Sequence, residues 1–248
     1  PELLRAAGID PLLLADPDGY VLRAQETRLW DEAVRLTGDA DFGVHLAEWV
    51  VRFPEDHFDV LAFAVRSSPT LREHYRLAGR YIRLIHEGVY LSLEEEGDVA
   101  RLVHGHIPEQ VGPRHPVEGM LALMLLMGRR TTGEDLVPQV VRFSHARPGR
   151  VSELERIFGA PVCHGCPRSE LVLARERLDR PQRHAELGLL AMLNRQLDRM
   201  LAELPARRSF EDMVKQHMMD ELPEREPVVT TIAARLHMSP RSLQRRLQ

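Results

Sequence analysis

Lysine is almost absent from this sequence. Of 33 basic side chains only Lys215 is a lysine, a bias that fits a GC-rich genome and carries no functional message. Cysteine is scarcer still. Cys163 and Cys166 are the whole complement, too few for a disulfide framework, so a reducing, cytoplasmic setting is expected. No apolar stretch approaches the roughly 18 residues that a membrane span needs. The longest, Met120 to Met127, is bounded by Gly119 and Gly128 and predicts a buried core helix. The sequence opens at Pro1 without an initiator methionine or a signal-peptide pattern, so residues preceding it are expected to be missing. The motifs of common catalysts are lacking too. No glycine-rich phosphate loop occurs, no Gly-x-Ser-x-Gly elbow and no His-Glu-x-x-His pair. No catalytic residue and no cofactor is therefore expected.

What is present predicts a folded chain: 44% hydrophobic and 28% charged residues of both signs, enough for one large domain and a piece of another. Helical spacing runs through Thr27 to Thr37, Asp41 to Val51, Phe58 to Arg66 and Leu71 to Glu87, with Ser68 or Thr70 as a cap for the last. At Gly88 the period changes. Val89, Leu91 and Leu93 alternate with polar residues, Glu94 to Asp98 reads as a solvated polar turn, and Val99 to Ile107 alternates again, as in an antiparallel hairpin. Pro116 to Arg130 is the Met-rich helix. Gln139 to Ser144, Pro161 to Gly165 and Glu170 to Ala174 predict further strands, and Val151 to Phe158 a helix. The expected fold class is α+β, with helices packed on an antiparallel sheet. A long helix follows, and then the start of an all-α helix-turn-helix domain. The expected boundaries are 1–182 for the α+β body, 183–208 for the long helix and a linker, and 209–248 for the start of the helix-turn-helix domain.

In the long helix, Ala185 to Leu204, Leu190, Leu193, Leu197, Met200 and Leu204 repeat at alternating three- and four-residue steps, an a/d seam. Two heptads are too few for a free-standing coiled coil. The seam either packs on its own domain or joins two copies into a homodimer. Beyond it, Ser209 with Asp212 suggests a capped helix to Leu222.

The last eighteen residues, Thr231 to Gln248, carry the strongest local pattern. Ile232, Ala233, Ala234 and Leu236 give one small apolar face, Ser239 and Pro240 restart a helix, and Leu243 and Leu247 bury it. Two short helices joined by a tight turn predict a helix-turn-helix. Arg235, Arg241, Arg245 and Arg246 lie here without an acid, leaving 29 basic against 37 acidic residues, a charge of −8, on the rest of the chain. A basic tip on an acidic body suggests a polyanion-binding end attached to something else. After the Ser239 cap, Arg241, Ser242 and Arg245 are placed for base edges and Arg235 and Arg246 for phosphates, with Ser239 and Gln244 counted among the DNA-binding residues.

The tip resembles the first helix-turn-helix of AraC-family transcription regulators. The resemblance rests on Ala233-Ala234-Arg235-Leu236, Met238-Ser239-Pro240-Arg241 and Leu243-Gln244-Arg245-Arg246-Leu247. Such domains hold two helix-turn-helix units, so the sequence is expected to stop inside the first recognition helix. The body is similar to the arabinose-binding-type effector domain of that family. The matching blocks, in order, are Arg28-Leu29-Trp30, Leu36-Thr37-Gly38-Asp39, Asp41-Phe42-Gly43, Ser67 to Glu73, Glu94 to Asp98, Phe158-Gly159-Ala160-Pro161 and Leu178-Asp179-Arg180-Pro181. The resemblance implies a regulator that senses an unidentified small molecule in an effector-binding domain (1–182), has a dimerisation helix and linker (183–208) and binds double-stranded DNA through a partial DNA-binding domain (209–248). Tyr75, Tyr81, Arg83, His86 and Arg142 are candidates for the polar groups of a largely apolar pocket.

Cys163-His164-Gly165-Cys166 offers a competing chemistry, a metal- or redox-dependent sensor or enzyme completed by His104 and His106, which share a strand face. A structural zinc site usually needs two such pairs. Two buried thiols near a strand end is the simpler reading, and no metal is expected.

Overall fold

The computed structural model describes residues 2–15, 21–52, 60–107, 112–204, 214, 218, 228–235 and 240–247. It divides into two units, Pro1–Leu201 and Ala202–Gln248. Among the described residues the first unit holds helices α1 (Glu2–Ala6), α2 (Arg23–Thr37), α3 (Phe42–Arg52), α4 (Val60–Ser67) and α5 (Leu71–Tyr81) before its sheet begins. The hairpin β1 (Val89–Glu96) and β2 (Val99–His106) follows, then α6 (Arg114–Thr132), β3 (Val140–Arg142), α7 (Ser152–Phe158), β4 (Val162–Cys163), β5 (Ser169–Ala174) and α8 (Leu187–Glu203). The strands form one sheet in the order β1-β2-β5-β3-β4. Every pairing is antiparallel except β3 with β4. The α+β expectation holds.

Alternation in β2 puts Ala100, Leu102, His104 and His106 on one sheet face, aligned with Leu91 and Val89 of β1 and Leu171 and Leu173 of β5. Ala100 and Leu102 join Leu121 and Leu125 of α6, Tyr75 of α5 and Phe143 and Phe158 in one core. Helix α6 is buried on more than one side, as its Met-rich composition predicts. It crosses α3 at backbone contact. A Cβ on Gly43 would lie 2.1 Å from the His115 carbonyl oxygen, and one on Gly119 would lie 2.7 Å from that of Gly43. Only hydrogen fits at these positions.

Several expectations needed correction. The β1–β2 turn is only Gly97-Asp98, with Gly97 at φ 56°, and Glu94 to Glu96 are paired strand residues rather than a solvated turn. Glu95 faces α5, where it takes ion pairs from Arg72 and from Arg76 at 3.1 Å, and it takes a third from Arg175, just after β5, at 3.0 Å. Helix α5 is capped by Thr70, whose hydroxyl accepts the Glu73 N–H at 3.4 Å. It ends at Tyr81, not Glu87, and Ile85 is exposed beyond a single 3-10 turn. Behind the cap, Gln182 is buried and donates to the carbonyls of Val65 (3.0 Å) and Ser68 (2.9 Å), and its own carbonyl accepts from His74 Nδ1 at 3.1 Å.

Much of the α8 seam packs on the body. Leu197 is 1% exposed in the body's core, with Leu190, Leu193 and Leu201 packed against that core. Tyr81 Oη donates to Asp198 Oδ1 at 2.7 Å on the same side. Met200 and Leu204 are half-buried, while Leu187 and Met192 are 66% and 62% exposed.

In the second unit, α9 (Val229–Arg235) and α10 (Pro240–Arg246) close over a separate small core of Val214, Ile232, Ala233 and Leu243. Leu247 lies past the end of α10 and is 45% exposed, so it does not bury that helix as the spacing suggested. The helix expected over Ser209 to Leu222 lies largely outside the described residues, as do Leu236 to Ser239.

Candidate functional site

The β1–β2 register builds a site at the end of the hairpin. His104 and His106 point to the core face and meet edge-to-face, ring centroids 5.5 Å apart. Across the strands His104 lies beside Ser169, whose hydroxyl is 3.1 Å from that of Ser144. On the opposite face the Tyr90 ring occupies the space a Cβ of Gly105 would take. A cavity of about 210 Å³ opens here, lined by Tyr90, His104, His106, Ser144, Arg168 and Ser169 among others. Burial, reinforced by the neighbouring His106, drives the His104 pKa down to about 3. Burial, then Arg23, holds His106 at about 4. Both rings are therefore neutral near pH 7. His104 Nδ1 is buried without a hydrogen-bond partner in the protein. The charge of Arg168 is already met by Glu94 at 2.8 Å and Glu170 at 2.7 Å.

A second cluster lies where α6 meets the ends of β3 and β4. Glu118 is fully buried. Arg114 Nε donates to both its oxygens, at 2.9 and 3.0 Å, while Arg114 Nη2 reaches Asp41 at 2.5 Å. Burial nevertheless raises the Glu118 pKa to about 7, a rise the Arg114 hydrogen bond only partly offsets. His145 stacks on Phe143 with centroids 5.0 Å apart, and His164 sits against both rings. Burial lowers both histidines, His164 to about 4. The donor atoms of Glu118, His145 and His164 lie within 4.8 Å of one another, a set that could hold a metal.

This rearranges the chemistry expected from the sequence. Cys163 is exposed and Cys166 half-buried, so they are not two buried thiols, and among the described residues neither joins a metal-capable group. His104 and His106 share a face as expected but line the cavity instead of meeting the cysteines. None of the five polar residues proposed for a pocket lines it. Tyr75 Oη donates to the Met124 carbonyl at 3.4 Å and Tyr81 to Asp198, His86 meets Glu26 at 3.0 Å, Arg142 meets Glu170 at 2.5 Å and Arg83 lies 3.7 Å from Glu87. The cavity wall is mainly apolar, as expected, but its polar groups come from His104, His106, Ser144, Arg168 and Ser169 instead. Glu118 was missed because it stands inside an apolar run, although an acid on the core side of a Met-rich helix is itself a signal. His145 was one of twelve histidines with no motif around it.

At the second unit, Arg241 and Gln244 are exposed on α10. The backbones of Arg235, Ser242, Arg245 and Arg246 lie in α9 and α10, but their side chains, and all of Ser239, are outside the described residues. No helix among the described residues is long and apolar enough to cross a membrane.

Comparison with known proteins places this geometry in context. Residues 1–182 match the family described as the N-terminal arabinose-binding domain of AraC transcription regulator. Over 99% of its length the chain is 27% identical to the uncharacterized HTH-type transcriptional regulator Rv1395 of Mycobacterium tuberculosis, covering 72% of that protein. It is 23% identical to the HTH-type transcriptional regulator VirS of the same species, covering 75%. Its fold resembles the crystal structure of transcriptional regulator CdpR from Pseudomonas aeruginosa, with a TM-score of 0.52 and 20% identity over 99% of this chain and 76% of that one.

Proposed function

We propose that this chain, which belongs to the AraC transcription regulator family through its arabinose-binding-type N-terminal domain, binds a small polar molecule in its body and double-stranded DNA through its C-terminal helix pair. The observation that carries the first half is the buried, unpartnered His104 Nδ1 on the wall of the cavity. A buried polar atom without a partner is costly, and a ligand hydroxyl, amide or carbonyl group supplies one. The surrounding charges are internally paired, and about 210 Å³ is modest, so the reading favours a compact, uncharged, hydrogen-bonding molecule. A thermal-shift screen of small polar metabolites tests it. A ligand present at about a hundred times its Kd stabilises by roughly 2.7 kcal/mol. The shift should vanish in His104→Leu; a shift that survives that variant refutes this cavity as the site.

The second half rests on α9 and α10 burying Ile232, Ala233 and Leu243 while Arg241 and Gln244 stay exposed. In this reading Arg241, Ser242 and Arg245 meet base edges from α10, Arg235 and Arg246 meet phosphates, and Ser239 and Gln244 complete the DNA-binding set. Fluorescence anisotropy with labelled duplexes should show weak binding at physiological salt that strengthens steeply as salt falls. Binding without salt dependence would refute it. A homodimer belongs to the same reading. Because Leu197 is spent on the body's own core, the dimer contact shifts to the exposed side of α8 that carries Met192. Light scattering on Met192→Glu tests that contact.

A further inference from the structure

The Glu118 cluster contains a local contradiction. The His145 Nδ1 is 3.0 Å from the carbonyl oxygen of Ala146, which can only accept, so Nδ1 carries the proton. The ring is neutral, and Nε2 therefore presents a bare lone pair. That lone pair lies 3.4 Å from Glu118 Oε1, itself an acceptor already engaged by Arg114. Nε2 has no hydrogen-bond partner although His145 is only 7% exposed. His164 adds two more ring nitrogens, both buried and both without partners. With Glu118 ionised, each neutral ring brings a lone pair that no protein donor meets into a buried space beside the carboxylate, which is destabilising. A cation at their centre removes the conflict.

We propose that Glu118, His145 and His164 form a binding site for one divalent transition-metal ion of the zinc or cobalt type. Donors about 2.0–2.2 Å from a tetrahedral ion stand roughly 3.4 Å apart, which is the separation found between His145 Nε2 and Glu118 Oε1. The wider gap to His164, within 4.8 Å, closes by a small turn of a half-buried ring that no hydrogen bond restrains. Two imidazoles and a carboxylate suit zinc or cobalt, whereas magnesium and calcium take oxygen ligands. The surroundings have the form of an outer shell. The Ala146 carbonyl fixes the His145 tautomer, and Arg114, anchored on Asp41, orients the carboxylate without using all its lone pairs. Three protein ligands leave a fourth position for water or a small molecule. An ion here would tie α6 to the segments after β3 and β4.

The test is titration of the untagged, metal-stripped chain with Co²⁺, read by visible absorption and by thermal melting. One Co²⁺ should bind with the spectrum of a four-coordinate nitrogen and oxygen site, raise the melting temperature and be displaced by Zn²⁺. Outer-shell substitutions alone cost about 10- to 100-fold in metal affinity, so the ligand variants Glu118→Gln and His164→Ala should weaken binding by at least about 100-fold. His164 is half-buried, and a melt of metal-free His164→Ala that matches the parent keeps the result free of misfolding. Cys163→Ser with Cys166→Ser should bind as the parent does. Absence of stoichiometric Co²⁺ binding overturns the proposal. So does a thiolate charge-transfer band that disappears in the double serine variant, or affinity unchanged in His164→Ala and Glu118→Gln.

Discussion

Replacing Leu197 with alanine separates two uses of the same helix. At 1% exposure the side chain is packed within the body, so its truncation leaves a cavity beneath α8. Leu→Ala at such sites costs about 2–5 kcal/mol. Taking about 3 kcal/mol, and the 2–4 °C per kcal/mol typical of domains with roughly 150–250 residues, the melting temperature should fall by about 6–12 °C. Met192, five positions earlier and 62% exposed, has no such packing, and Met192→Ala should stay within about 0.5 kcal/mol of the parent. The assay is thermal denaturation by circular dichroism, paired with light scattering on the same samples. If Leu197→Ala melts with the parent but shifts the mass from dimer to monomer, Leu197 belongs to an intermolecular seam and its assignment to the body's core is wrong.

Three further outcomes are expected. Gly43→Ala forces a methyl group onto the His115 carbonyl; overpacking of this kind costs about 1–3 kcal/mol, and with backbone on the other side the upper end is expected in urea titration. His74 is buried with its pKa lowered from 6.5 to about 4, so the unfolded chain binds the extra proton first. Its contribution is intact above about pH 6.5 and lost as pH falls toward 4, on the order of 3 kcal/mol, and His74→Gln should flatten that part of the stability-against-pH curve. At the tip, Arg241→Ala should relax preference at one base pair by about 1–3 kcal/mol. Arg246→Ala should instead weaken all sequences about equally and reduce the salt slope by about one, as read by anisotropy.

The sequence was informative wherever local chemistry decides structure. The hairpin followed from the alternation of Val89, Leu91 and Leu93, the core helix from Met120 to Met127, and the start of α10 from Pro240. It misled where a partner distant in sequence decides. Glu94 to Glu96 look like a turn until Arg72, Arg76, Arg168 and Arg175 are brought beside them. Ile85 continues the apolar period of α5 but is 59% exposed. The candidate site was least legible of all. His104 and Ser169 are cross-strand neighbours separated by 65 positions, and Glu118, His145 and His164 come from a helix and two loops. Such convergence depends on sheet order, with β5 inserted between β2 and β3, and no spacing along the chain reports it.

The crossing of α3 and α6 has a consequence for how this protein can change. Every single-base change in a glycine codon that alters the amino acid yields alanine, valine, serine, cysteine, aspartate, glutamate, arginine or tryptophan. Each of these brings at least the Cβ that the crossing excludes at Gly43 and Gly119. Neither position therefore has a neutral first step. A drifting lineage must first separate the two helices, through substitutions elsewhere in their contact, before either codon is free to move.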